Sequence, residues 1–188
     1  TCSDRSPSNR SASEPPSSDS TSSRVLRDHA SVVEDAEYSD GGRRVLSVGD
    51  DGRLLAWSPE GSDVLPLFKH AAPLTGVETL ERNHHAVIHD AAGSIWDVSP
   101  RGETRKIREG DGVAITILRA SASGHYVAVG TATGVVTVYE TSSWNVIEAL
   151  QSAGSIRQIQ FDPMDRDLIF ISEAGRAQHG HVRIVALG

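Results

Sequence analysis

Short runs of alternating apolar and polar residues recur along this sequence, and each run follows a glycine. The four runs are Gly52-Arg-Leu-Leu-Ala-Trp57, Gly93-Ser-Ile-Trp-Asp-Val98, Gly134-Val-Val-Thr-Val-Tyr139 and Gly180-His-Val-Arg-Ile-Val185. Alternation with a period of two indicates β-strands, and the leading glycine suits a tight turn that requires positive φ. The glycines are 41, 41 and 46 residues apart, so the pattern predicts a structural repeat.

Further short apolar runs surround each glycine-led strand. One run lies just before the glycine and completes a hairpin, another precedes the hairpin, and a fourth follows each of the first three hairpins. Four short antiparallel strands every ~40 residues are typical of β-propeller blades. No segment has a sustained apolar period of 3.6 residues, so little helix is expected. We therefore predict an all-β fold, a propeller-like array of four four-stranded antiparallel blades.

The segment from His29 to Trp57 resembles the WD-repeat β-propeller family, and the resemblance extends over residues 24–188. It implies a buried structural tetrad of His29, Ser47, Asp51 and Trp57. In such a tetrad the imidazole bridges a hydroxyl and a carboxylate, and the indole N–H finds an acceptor, so that no buried polar group lacks a partner. A serine, a histidine and an aspartate could also suggest a nucleophile, but the resemblance favours the structural role.

The resemblance also implies how the chain is divided. The expected blades are residues 29–69, 70–110, 111–151 and 152–188. A closing strand at residues 24–27 is expected to pair with residues 181–185, because family members complete the last blade with one terminus and so remove an open sheet edge. Blades two to four lack most tetrad residues, which indicates that apolar packing holds them together.

Residues 1–23 contain ten serines and three prolines, so they cannot bury enough surface to fold. We predict a disordered linker or tail. Cys2 near the start of a Ser/Pro-rich tether is also compatible with a bacterial lipoprotein anchor, although Thr1 precedes it. The compartment stays open between these two hypotheses, with a cytoplasmic location favoured and an exported lipoprotein as the alternative.

Composition excludes several classes of protein. A net charge of −7 argues against a general nucleic-acid or anionic-membrane binder. No run approaches the ~18 apolar residues of a membrane-spanning helix. The single cysteine excludes a disulfide framework and a cysteine-based zinc site.

No pattern of catalytic or metal-binding residues emerges from the sequence. His84, His85 and His89 are close in sequence, but positions four apart on a strand lie ~13 Å apart and cannot share a zinc ion. His179 and His181 could face one side of a strand, yet no third ligand accompanies them. Neither a Gly-x-Ser-x-Gly motif nor a phosphate loop is present. We therefore predict no enzyme, no catalytic residue, no metal and no cofactor.

The resemblance implies recognition of a protein partner. Family members commonly bind peptides on the face that carries the turn before the tetrad aspartate, which here corresponds to Asp50, Ala91, Ala132 and His179. We predict a non-catalytic scaffold or sensor for a protein or peptide, and the acidic balance favours a basic or neutral one. The alternative is an exported or enzyme-associated propeller that binds a small molecule or carbohydrate, or a hydrolase or lyase propeller. The chain is expected to be a monomer, a strand-swapped dimer or part of a longer propeller.

Overall fold

The computed structural model describes residues 25–61, 63–173 and 180–186, and within these residues the fold is all-β. Fifteen strands and no helix are found in this part of the chain. No helix long and apolar enough to cross a membrane occurs among the described segments. The leader predicted at residues 1–23 lies outside them.

The first three sheets are four-stranded and antiparallel, with their strands in chain order. The first contains β1 (Val33–Ser39), β2 (Arg44–Gly49), β3 (Arg53–Trp57) and β4 (Val64–Lys69). The second contains β5 (Leu74–Leu80), β6 (His85–Asp90), β7 (Ile95–Val98) and β8 (Thr104–Arg108). The third contains β9 (Ile115–Ala120), β10 (Tyr126–Thr131), β11 (Val135–Glu140) and β12 (Val146–Gln151). The fourth sheet has three strands among the described residues, namely β13 (Ile156–Phe161), β14 (Asp167–Glu173) and β15 (Gly180–Ala186).

These sheets confirm the predicted all-β array of blades, and their spacing is regular. The first strands begin at Val33, Leu74, Ile115 and Ile156, so successive blades are 41 residues apart throughout. The glycine spacing of 46 therefore reflects a longer connection between β14 and β15, not a longer blade. Because the repeat is constant, residues that differ by multiples of 41 occupy equivalent positions.

The hydrophobic core consists of three clusters, each lying between two consecutive blades. Alternate residues of β2 point in opposite directions, and Leu46 and Val48 pack against Ala86 and Ile88 of the second blade. Val87, the neighbour of those residues on β6, faces the third blade instead. A middle blade thus buries both of its faces, each against a different neighbour.

The predicted closing strand is not formed within the described residues. Residues 25–27 belong to no strand, Arg24 lies outside the described part of the chain, and β15 pairs only with β14 there. No core cluster joins the fourth blade to the first among the described residues. Pairing of residues 24–27 with residues 181–185 therefore stays a prediction.

Two valines of the third blade test the importance of packing between blades. Val138 on β11 is fully buried against the fourth blade, whereas Val146 on β12 is 53% exposed. Val138→Ala should lower the free energy of unfolding by about 2 kcal/mol, from lost methyl burial plus the remaining cavity. The same change at Val146 should alter it by less than about 0.5 kcal/mol. Chemical denaturation measures both, and equal effects would contradict the assignment of the core.

Candidate functional site

The structure brings the four expected tetrad side chains together in the first blade. Ser47 lies on β2 and Trp57 on β3, Asp51 lies in the turn between these strands, and His29 precedes β1. The His29 Nδ1 atom is 3.0 Å from Asp51 Oδ1, and its Nε2 atom is 2.8 Å from Ser47 Oγ. The Trp57 indole N–H donates to the same Ser47 oxygen at 2.8 Å.

These contacts form one continuous chain of hydrogen bonds. Because Ser47 Oγ accepts from the indole, its own proton is available to His29 Nε2, and His29 Nδ1–H then donates to the carboxylate. Asp51 also accepts from the Ala30 backbone N–H at 2.8 Å and from Arg53 Nε at 2.9 Å. Burial of the Asp51 carboxyl opposes ionisation, but these donors outweigh it and hold the pKa of Asp51 well below its usual range.

A serine, a histidine and an aspartate in this order have the connectivity of a nucleophile and its base. However, Ser47 is only 5% exposed, and its oxygen already accepts the indole proton of Trp57. The arrangement instead ties the segment before β1 to the β2–β3 turn, because His29 and Ala30 belong to that segment and Asp51 to the turn.

In the second and third blades, a single side chain stabilises the turn between the second and third strands by accepting backbone hydrogen bonds. In the second blade, the Asp90 carboxylate accepts from the backbone N–H groups of Ala92 and Ser94, at 3.0 and 2.8 Å. In the third blade, Thr131, which occupies the equivalent position, accepts from Val135 N–H at 3.0 Å. Val98 pairs with Ala86 as Trp57 pairs with Val45, so Val98, and not Trp96, occupies the position of the tetrad tryptophan in the second blade.

The turns that carry the predicted binding residues lie at one end of the blades. Asp50, Ala91 and Ala132 are exposed in the β2–β3, β6–β7 and β10–β11 turns. We call this end the turn face, defined by these three residues and by the connections between consecutive blades. His179, the fourth predicted residue, lies outside the described residues. The turns bring the other three to the same face, each on a different blade.

Backbone hydrogen bonds make the turn face rigid. The Asp50 N–H donates to Val32 O at 2.9 Å, and the Ala132 N–H donates to Ala114 O at 3.0 Å. The second-blade turn is held in the opposite sense, since the Gly112 N–H donates to Ala92 O at 3.0 Å. Gly52, Gly93 and Gly134 close the three turns with φ of 70°, 88° and 87°, a conformation that other residues rarely adopt.

Small and apolar side chains dominate the exposed part of the turn face. They share exposure and a position in a turn or connection, and they are Val32, Ala71, Pro73, Ala91, Ala92, Ala114, Ala132 and Ala153. The exposed charged residues beside them are Asp28, Asp50, Lys69, Glu109 and Asp111. Glu109 pairs with Lys106 at 2.9 Å, and Asp111 pairs with Arg108 at 2.7 Å. The face is therefore mildly apolar with charges of both signs at its rim, and it offers no large side chain as an anchor.

The three histidines that are close in sequence point to three different partners. His84 Nε2 lies 3.5 Å from Asp40 Oδ1, and His85 Nδ1 lies 2.7 Å from Asp97 Oδ1. His89 is buried, its Nδ1 lies 3.0 Å from Thr75 Oγ1, and burial lowers its pKa. Within the described ranges, no group of three or more His, Cys, Asp or Glu side chains could hold a metal ion.

Carboxylates link the first strands of neighbouring blades, a feature that the sequence reasoning missed. The Glu78 Oε1 atom on β5 accepts from Ala120 N–H at 3.0 Å, and its Oε2 atom pairs with Arg119 at 3.0 Å. Glu37 on β1 lies one repeat before Glu78, and its carboxylate likewise accepts from the backbone of the next blade, at Thr79. The charged neighbours differ, however: Glu78 is next to the basic Arg119, whereas Glu37 is next to the acidic Glu78. The spacing of 41 residues between Glu37 and Glu78 was the feature of the sequence that could have indicated these bridges.

Because Glu37 and Glu78 have different neighbours, their pKa values are affected differently. Burial, reinforced by repulsion from Glu78, raises the pKa of Glu37 to about 7. One oxygen of Glu37, Oε2, is buried without a hydrogen-bond partner. Burial also raises the pKa of Glu78, although Ala120 N–H and Arg119 favour its charged form. Glu37 is therefore the acid in this part of the chain whose charge changes near neutral pH.

Three solved structures share this architecture with the chain. The β-propeller domain of Cps50 (Swd1) from Myceliophteria thermophila is 17% identical with a TM-score of 0.64, over 80% of this chain and 52% of that one. The C-terminal WD40 domain of Sif2 is 21% identical with a TM-score of 0.70, over 87% of this chain and 48% of that one. The chain has the fold of a WD40 β-propeller.

The extent of the similarity differs among these structures. The chain spans about half the length of the Swd1 and Sif2 domains. It matches the computationally designed Ika4 protein over 87% of its own length and 96% of that protein, with 18% identity and a TM-score of 0.67. No family model and no curated protein matches the sequence.

Removing the tetrad histidine should affect stability. His29→Ala removes the acceptor of the Ser47 hydroxyl proton and one buried donor to Asp51, so the free energy of unfolding should fall by about 1–3 kcal/mol. His125→Ala serves as the control, because that residue is exposed in the β9–β10 turn, and the change should stay below about 0.5 kcal/mol. If His29→Ala melted like the wild type but lost a binding activity, the structural role would be wrong.

The raised pKa of Glu37 predicts a pH effect of defined sign. Glu37 loses its proton near pH 4.5 in the unfolded chain but only near pH 7 in the folded protein. Between these two values the folded state binds more protons than the unfolded state, so the free energy of unfolding declines as the pH rises from 4.5 to about 7. Glu37→Gln removes the decline, and its melting temperature should gain on the wild type between pH 5 and pH 8. Glu34→Gln, exposed on the same strand, should parallel the wild type. A difference between Glu37→Gln and wild type that did not vary with pH would contradict the assignment.

Proposed function

We propose that this protein is a non-catalytic interaction module that binds a protein or peptide partner on its turn face. The observation that carries the proposal is the exposure of Asp50, Ala91 and Ala132 at one end of three successive blades, in turns that backbone hydrogen bonds hold rigid. A rigid surface loses little conformational entropy on binding, which favours recognition. Propeller neighbours of the WD40 type support a scaffold kind of function.

The chemistry of the turn face favours a particular kind of partner. Its exposed alanines form a shallow apolar surface, so the large side chains that anchor a complex have to come from the partner. Asp50 is an exposed acid, Glu109 is paired with Lys106, and the chain carries a net charge of −7. A basic or neutral peptide with apolar anchors therefore fits this face better than an acidic one.

Two exposed alanines at opposite ends of the third blade provide a matched test. Ala132 lies on the turn face, and Ala122 lies in the β9–β10 turn at the other end. A protein recovered in stoichiometric amount by the wild type should still bind Ala122→Arg but should lose at least about tenfold in affinity for Ala132→Arg, the factor that 1.4 kcal/mol represents. Both variants should melt like the wild type, because both positions are exposed.

Two results would contradict the proposal. One is equal loss of binding in both folded variants, which would place the interface elsewhere. The other is the absence of any protein partner together with thermal stabilisation of the wild type by a sugar or metabolite, which would favour the small-molecule alternative.

A further inference from the structure

The first blade exposes a face that an equivalent blade buries. Tyr38 on β1 is 67% exposed. Phe161 on β13 occupies the same position three repeats of 41 later, and it is only 9% exposed because it packs against the third blade. Nothing among the described residues covers Tyr38 in the corresponding way.

The fourth blade exposes the opposite face. Ile169 on β14 is 37% exposed. The residues at the same position of the first three blades all pack against the following blade, and their exposed fractions are 3% for Leu46, 0% for Val87 and 0% for Ala128. The fourth blade therefore presents a face shaped for a following blade.

A second residue of the first blade shows the same contrast as Tyr38. Val33 on β1 is 49% exposed, whereas Leu74, Ile115 and Ile156 at the same position of the later blades are buried, with exposed fractions of 0%, 8% and 0%. Val64 and Leu65 on the outer strand β4 are also exposed, but so are the equivalent Val146 and Ile147 of the third blade, so their exposure is not a property of the ends. Val33 and Tyr38 at one end and Ile169 at the other are exposed apolar side chains at positions that other blades bury, which marks both ends as interaction surfaces.

The backbone at the two ends is complementary as well. β15 has an unpaired edge among the described residues, which is a template for a further strand. Leu67 of the outer strand β4 lies against Gly102 of the second blade. Leu26 and Gly61, which lie 41 residues before Leu67 and Gly102, are in contact in the same way. The segment around Leu26 thus occupies the place of the outer strand of a preceding blade.

Polar side chains at the two ends are compatible with the same kind of junction. Arg44 and His84 line one cavity between the first and second blades. Asp167 of the fourth blade occupies the repeat position of Arg44, and Arg43 of the first blade occupies that of His84. Where the fourth blade of one molecule packs on the first blade of another, Asp167 and Arg43 would therefore line one cavity with opposite charges, which favours the junction even though Arg43 also pairs with Asp40 at 2.8 Å.

We propose that two copies of this chain close one eight-bladed propeller, with the fourth blade of each copy packed on the first blade of the other. The chain spans about half of the Swd1 and Sif2 domains, so two copies supply the length of one such propeller. In each junction the segment around Leu26 pairs with the β15 edge of the other copy. A two-fold axis relates the two junctions, and the β15 edge of each copy is covered.

Light scattering on the 188-residue chain tests this assembly. The wild type should have twice the chain mass of 20.1 kDa. Tyr38→Arg and Ile169→Arg each place a charge in both junctions and should give the single-chain mass. Val146→Arg is the matched control, since Val146 is 53% exposed on the third blade, away from both ends, and it should remain a dimer.

Mixing the two end variants tests the head-to-tail arrangement. A pair made of one Tyr38→Arg and one Ile169→Arg chain retains one unaltered junction, so the mixture should recover a heterodimer that neither variant forms alone. A wild-type monomer at 100 µM, or a series of larger polymers, would overturn the proposal. So would a dimer that Ile169→Arg leaves intact, because such a dimer would join first blades only. The turn-face test of partner binding is independent of all these outcomes.

Discussion

Packing between neighbouring blades is the interaction on which the rest of this structure depends. Each sheet is thin and has two apolar faces, and neither face can be buried within its own blade. The three core clusters each draw on two consecutive blades, whereas the hydrogen-bonded tetrad, among the described residues, occurs in the first blade alone. Stability is therefore a property of adjacent pairs, as in other repeat proteins, and a blade at the end of the array lacks one partner.

This dependence separates the structural groups from the candidate binding groups. The tetrad of His29, Ser47, Asp51 and Trp57 is buried and joins a turn to the segment before β1, so it acts on the fold. Asp50, Ala91 and Ala132 are exposed at the ends of strands whose positions the core determines. A partner that binds there meets a surface that is rigid because the blades beneath it are packed.

The repeat was readable from the sequence because strands alternate and turns need glycine, and both signals are local. The positions Asp50, Ala91 and Ala132 came from the resemblance to WD-repeat propellers, transferred along the same spacing. The bridge from Glu78 to Ala120 and Arg119 could not be read in this way, because it depends on which strands of successive blades become neighbours. Neither could the contrast between Tyr38 and Phe161, since equivalent positions in the repeat differ only in whether another blade covers them.

Native-state hydrogen exchange of the backbone amides tests most directly whether the blades are stabilised as neighbours. We expect β6 and β10, the second strands of the two middle blades, to exchange together and with the highest protection. Their protection should fall in parallel when Val138→Ala weakens the junction between the third and fourth blades. Unrelated exchange rates for β6 and β10, together with an effect of Val138→Ala on β11 alone, would instead show that the blades are independent units.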